Sequence, residues 1–152
     1  MTKKTVLCLA LYALSSPAFA GGYLLLPESM SYRKTFPVPD IVYHHVSTLI
    51  DAGSAVTAVE QEFFNGQYYA PAAVYLFPVP AGKIVSACSA EIDGKEIPCE
   101  LIDALRARAL CEGSVRAGND PSALAYCDRE MLKFTIPPFS PRERKHVTLK
   151  YT

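Results

Sequence analysis

Five cysteines and three histidines are the residues of this 152-residue chain whose side chains could carry nucleophilic, redox or metal chemistry. Cys8 lies in an apolar N-terminal run, too close to the start to be a lipid-modified cysteine. The other four are Cys88, Cys99, Cys111 and Cys127. An even number of cysteines in a chain that carries an export signal points to disulfides rather than to thiol catalysis. None of their spacings is the close C-x₂-C type of a zinc site, which leaves metal binding as the weaker alternative. A catalytic thiol, which would need an exposed thiolate of lowered pKa, ranks behind metal binding. His44 and His45 are neighbours in an alternating apolar and polar run, so their rings point to opposite faces and cannot close on one metal ion. His146 sits in another such run, and nothing local makes it a base.

A hairpin positions the first pair of thiols. Asp93-Gly94 stands between two β-type runs, and Asp-Gly supplies both positive-φ residues of a two-residue turn. Counting outward from that turn pairs Ile92 with Lys95, Glu91 with Glu96, Ala90 with Ile97, Ser89 with Pro98 and Cys88 with Cys99. A bridge between Cys88 and Cys99 follows, leaving Cys111 and Cys127 for each other. Cys111 falls on the apolar stripe of a helix expected over residues 101–117, with Ala104, Ala107 and Val115, widened by Leu110 and Ser114. Arg108 and Glu112, and Glu112 and Arg116, form i,i+4 pairs on its solvated side. Gly118-Asn119 is expected to stop the helix. Residues 119–127 read as a loose connection, tied down only if Cys111 bonds Cys127.

The remaining elements are strands. Residues 56–64 and 73–80 are rich in β-branched and aromatic types, and Pro78 and Pro80 end the second. They are expected to pair in one sheet, with Val59 and Phe63 opposite Val56 and Phe64 in the first, and Val74 and Leu76 opposite Tyr75 and Phe77 in the second. Both faces would then need cover. Residues 41–50 form a further strand, entering this pair through the turn Asp51-Ala52-Gly53, and residues 83–92 another. Met131 to Ile136 and Lys145 to Tyr151 complete the set, joined by Pro137-Pro138-Phe139-Ser140-Pro141. Residues 21–38 read as an irregular lead-in, whose apolar Tyr23 to Leu26 either joins a sheet edge or lies on the domain. The expected fold is mainly β with one packed helix, a two-layer antiparallel sandwich or barrel-like module over residues 39–152.

Lys3 and Lys4, the short apolar run from Thr5 to Leu14, and Ala18-Phe19-Ala20 before Gly21 have the layout of a cleavable export signal, with cleavage between Ala20 and Gly21. Its removal leaves 132 residues, a length suited to one domain. Thirteen basic and fifteen acidic side chains then remain, a formal charge of −2, which gives no footprint for nucleic acid or anionic membranes. No later stretch reaches the roughly 18 apolar residues of a membrane span. Placement in the periplasm or outside the cell is expected. There is no G-x-S-x-G elbow, H-E-x-x-H helix, P-loop or dinucleotide glycine pattern.

Certain motifs recur in an order that resembles a known family. They are Val59-Glu60-Gln61-Glu62-Phe63-Phe64-Asn65, then Ala73-Val74-Tyr75-Leu76-Phe77-Pro78-Val79-Pro80, then Ile92-Asp93-Gly94-Lys95-Glu96-Ile97. Ala107-Arg108-Ala109 ahead of Gly118, the strand around Phe134, and Val147-Thr148-Leu149-Lys150-Tyr151 follow. From about Pro39 to Tyr151 the chain resembles the VIT domain of vault proteins and inter-alpha-trypsin inhibitor heavy chains. The resemblance implies a mostly β module with one helix and no catalytic residues, usually followed by a von Willebrand factor A domain. That partner's Asp-x-Ser-x-Ser metal motif does not occur here, and Cys111 stands where the family often has an aromatic residue. The expected function is therefore that of a non-catalytic exported scaffold binding another protein, with no cofactor. A thiol redox or hydrolytic enzyme using Cys111 or Cys127 is the alternative from the enzyme class, and the front piece of a longer adhesin-like chain is the third reading.

Overall fold

The computed structural model describes residues 21–26, 38–80, 82, 84–116 and 121–152, and among these alternating side chains build nine strands. The proposed signal with Cys8 and Ala20, the prolines Pro27 and Pro37, and the stop Gly118-Asn119 lie outside the described residues; Gly21 is the first within them.

One sheet holds β1 (Tyr23–Leu25), β4 (Ala73–Pro78), β8 (Met131–Ile136) and β7 (Glu100–Ile102), in the order β1-β4-β8-β7. The other holds β2 (Asp40–Asp51), β3 (Ser54–Phe64), β9 (Arg144–Tyr151), β5 (Cys88–Ile92) and β6 (Lys95–Ile97), in the order β2-β3-β9-β5-β6. Every pairing is antiparallel. The two sheets form an open sandwich and not a closed barrel. A helix, α1 (Ala104–Arg116), and a short 3-10 helix (Pro121–Tyr126) supply further cover.

The interior follows from period-two burial. Val59 and Phe63 of β3, Tyr75 and Phe77 of β4, Leu132 and Phe134 of β8, and Val147 and Leu149 of β9 form the main core between the sheets. A second cluster joins Leu25, Leu76, Met131 and Ile102 of the first sheet to Ala107 and Cys111 of α1 and to Cys127. Strand β4 is thus covered on both faces. Strand β3 is not, since Val56 on its outer side is 41 % exposed.

Three sequence-based expectations need correction. Strands β3 and β4 do not pair but lie in opposite sheets, β3 between β2 and β9, and β4 between β1 and β8. Asn65 sets the departure from β3: its fully buried amide donates to Tyr69 O at 2.8 Å and Ser140 O at 3.1 Å and accepts from Gln67 N. Leu101 and Ile102 belong to β7 rather than to the helix. Asp103 caps α1 instead, its carboxylate accepting from Arg106 N at 2.8 Å and its carbonyl from Ala107 N. Within the supposed loose connection, residues 121–126 form the 3-10 helix, which buries Ala123.

Other boundaries shift less. Residues 84–87 precede β5 without strand structure, although Ser86 N donates to Thr152 O and Thr152 N to Ala87 O. The apolar lead-in takes the sheet-edge option as β1, where Gly22 passes so close to Tyr75 that an added Cβ would fall 2.2 Å from that side chain.

Candidate interaction surface

The hairpin register read from Asp93-Gly94 is the observed one through Ala90 opposite Ile97, with φ of 50° and 81° at the two turn residues. Cys88 and Cys99 lie at disulfide distance with Cα atoms 5.9 Å apart, just beyond the last ladder pair. Cys111 and Cys127 are likewise paired, 6.5 Å between Cα atoms, linking α1 to the end of the 3-10 helix. Both of these residues have no exposed surface, so the arrangement offers no accessible thiolate. Two such pairs fit an oxidising compartment. No helix among the described residues is long and apolar enough to cross a membrane.

The two neighbouring histidines diverge. His45 sits opposite Glu60. His44 sits opposite Gln61, whose amide Nε2 donates to His44 Nδ1 at 2.8 Å. The carbonyl of that buried amide accepts from the hydroxyl of Tyr75 in the facing sheet. A relay therefore runs from the surface of β2 through β3 to the interior of β4. It satisfies the polar atoms of Gln61 and fixes its amide orientation. Burial pushes the Tyr75 phenol well above its ordinary pKa, against the pull of the Gly22 backbone and Gln61. Sequence reasoning missed this relay, although a Gln between Val59 and Phe63 on the inward face of a strand was the available signal. Among the described residues no group of three or more His, Cys, Asp or Glu side chains could hold a metal ion.

Several concave regions flank the sandwich. A groove of about 580 Å³ is lined by Leu25, Leu26, Val74, Leu110, Arg106, Arg116 and Lys133. Arg106 and Lys133 both turn to Glu100, at 2.6 and 2.9 Å, which holds that carboxyl below the usual range. Arg106 and Lys133 are thus engaged with a carboxylate at the groove's rim. Another region, about 560 Å³, is lined by Thr48, Ile50 and Ala55 of the first hairpin together with Ile84, Val85 and Tyr151. Neither gathers a nucleophile with a base.

The more prominent feature is β2 itself. All twelve of its residues are exposed, because the facing sheet covers β3, β9 and β5 and stops short of this strand. Ile41, Val42, Tyr43, Val46, Leu49 and Ile50 present apolar surface, the last two at 72 % and 75 % exposure. Among the described residues β2 pairs with β3 alone, so the backbone groups on its other edge have no ladder partner. No Lys, Arg or Pro interrupts residues 40–51. Such residues are the usual devices that keep an edge strand from pairing with another chain.

The sequence profile of the VIT family, the Vault protein inter-alpha-trypsin domain, matches residues 41–151. Comparison with curated proteins and with solved structures returns no match. The matched span opens one residue into β2 and closes on the last residue of β9, taking in all of the second sheet but Asp40, three strands of the first, and the helix packed on it. The chain therefore belongs to the Vault protein inter-alpha-trypsin domain family.

Proposed function

We propose that this protein is a non-catalytic interaction module, exported by the segment that ends at Ala20, which binds another protein along the free edge of β2. The observation that carries the reading is the twelve-residue edge, exposed throughout and free of Lys, Arg and Pro. An extended partner segment added there would gain main-chain hydrogen bonds from the edge and apolar contacts from alternate side chains. The family membership supports a binding role, and the burial of Cys111 and Cys127 supports the absence of thiol chemistry.

The test uses the purified protein as bait against periplasmic extract and culture medium. A specific partner should be captured by the natural protein and lost with Val46→Lys, which sets an ammonium group in the middle of the edge. Circular dichroism and a urea midpoint close to that of the natural protein establish that the variant is folded. Equal capture by the variant, or capture of nothing by a chain that also stays monomeric, would overturn the reading.

A further inference from the structure

We infer that the occupant of the β2 edge is a second copy of the same chain, paired antiparallel about a two-fold axis through Val46. This rests on the reading of β2 as the interaction edge.

The hairpin fixes which groups face outward. Asp51 pairs with Ser54 across the two-residue turn Ala52-Gly53, both at positive φ, so Asp51 and Ser54 exchange backbone hydrogen bonds. Alternation then turns the N–H and C=O groups of Ile50, Thr48, Val46 and His44 away from β3 toward the free edge. The close approach of the Thr48 and Thr57 hydroxyls, 3.1 Å, agrees with their lying at a position without ladder bonds.

A two-fold axis normal to an antiparallel pair must pass through a residue opposite itself, because it cannot exchange a hydrogen-bonded pair with a non-bonded one. Few registers qualify. Axes through His44 or His45 set two imidazoles face to face, one through Ser47 sets His45 against Leu49 and Tyr43 against Asp51, and one through Thr48 sets the exposed Leu49 against Ser47 and leaves Tyr43 outside the ladder. The axis through Val46 matches chemistry at every step: Val46 with itself, His45 with Ser47, His44 with Thr48, and Tyr43 with Leu49. No like charges meet, Asp40 and Asp51 both falling outside this ladder. The β-bulge between Ile41 and Tyr43 ends the ladder at Tyr43, and the two-fold axis then ends it at Leu49 on the other side. The product is one continuous ten-stranded sheet, five strands from each copy.

Sedimentation velocity on the purified protein should give twice the chain mass, and Val46→Lys should weaken association roughly tenfold or more, since two ammonium groups then stand opposite each other. Under mild oxidation Val46→Cys should yield a dimer whose linked peptide joins residue 46 to residue 46, the self-paired Cα atoms being about 5.5 Å apart. Leu49→Cys should not cross-link to itself, as its two copies lie six residue steps apart, about 20 Å. A monomer, a dimer unaffected by Val46→Lys, or cross-linking through residue 49 in place of 46 would each overturn the inference. If the protein is a monomer and Val46→Lys still abolishes capture of another protein, the interaction edge stands and only the second copy is wrong. If capture is also insensitive, both fall.

Discussion

Ala52 turns the chain from β2 into β3 at a φ of 43°, a left-handed conformation that a Cβ makes unfavourable. Asn tolerates that region better, so Ala52→Asn should raise the urea midpoint at unchanged m-value, by about 0.5–1 kcal/mol. The Tyr75 hydroxyl and the Gln61 amide are the reverse case, a buried bond between facing sheets whose loss strands a partner. Tyr75→Phe should cost about 1–3 kcal/mol, and Gln61→Leu a similar amount. Combining the two should cost less than the separate losses added together, because the second change removes the group the first left unsatisfied. Urea unfolding of the four proteins checks both statements. Period two already placed Gln61 beside Val59 and Phe63, so its burial was legible in the sequence. Its partner was not, because Tyr75 lies fourteen residues on in the other sheet and no local pattern joins them.

Among the elements, β3 and β4 show where adjacency misleads. Successive strands often pair, and two β-rich runs with a polar turn between them look like a hairpin. Eight residues separate them here, and Asn65 at the exit is tied to Ser140, so the chain crosses to the opposite layer. The β5–β6 hairpin could be read register by register because its two-residue turn permits only one pairing. The helix stripe was legible too, but Leu101 and Ile102 fit a helical pattern as well as a strand end, and the Asp103 cap was the overlooked boundary. The Cys111–Cys127 pair closes a loop of sixteen residues in sequence separation. Reducing it, or replacing Cys127 by Ser, should destabilise the protein by about 3 kcal/mol if the loop acts through the unfolded chain. Amide exchange should then quicken first in residues 121–126 and in α1, and later in β8 and β9.

At the scale of the molecule, tyrosines inside the fold set its tolerance of alkali. Burial, and then the neighbouring Tyr126 hydroxyl through its charge and a hydrogen bond, push Tyr23 up to about 12, and Tyr75 lies higher still. Both folded values exceed the unfolded value of about 10. The stability these neutral phenols contribute is therefore whole below pH 10 and is lost as pH rises toward 12. Thermal midpoints should begin a tyrosine-dependent fall only above pH 10, and Tyr23→Phe should flatten part of it. Acid acts oppositely: Glu143, held low by the Ser140 backbone N–H and then by Lys145, stabilises above the unfolded carboxylate value and ceases to as pH falls through its folded one. The mainly β fold with one helix was legible in the sequence from alternation and turn chemistry. The division into two sheets was not, since it depends on pairings far apart along the chain. Neither cysteine pair joins a strand of one sheet to a strand of the other. Among the described residues the layers adhere chiefly by oily contact, a force that fades on chilling, so neither staple should protect the seam between them against cold.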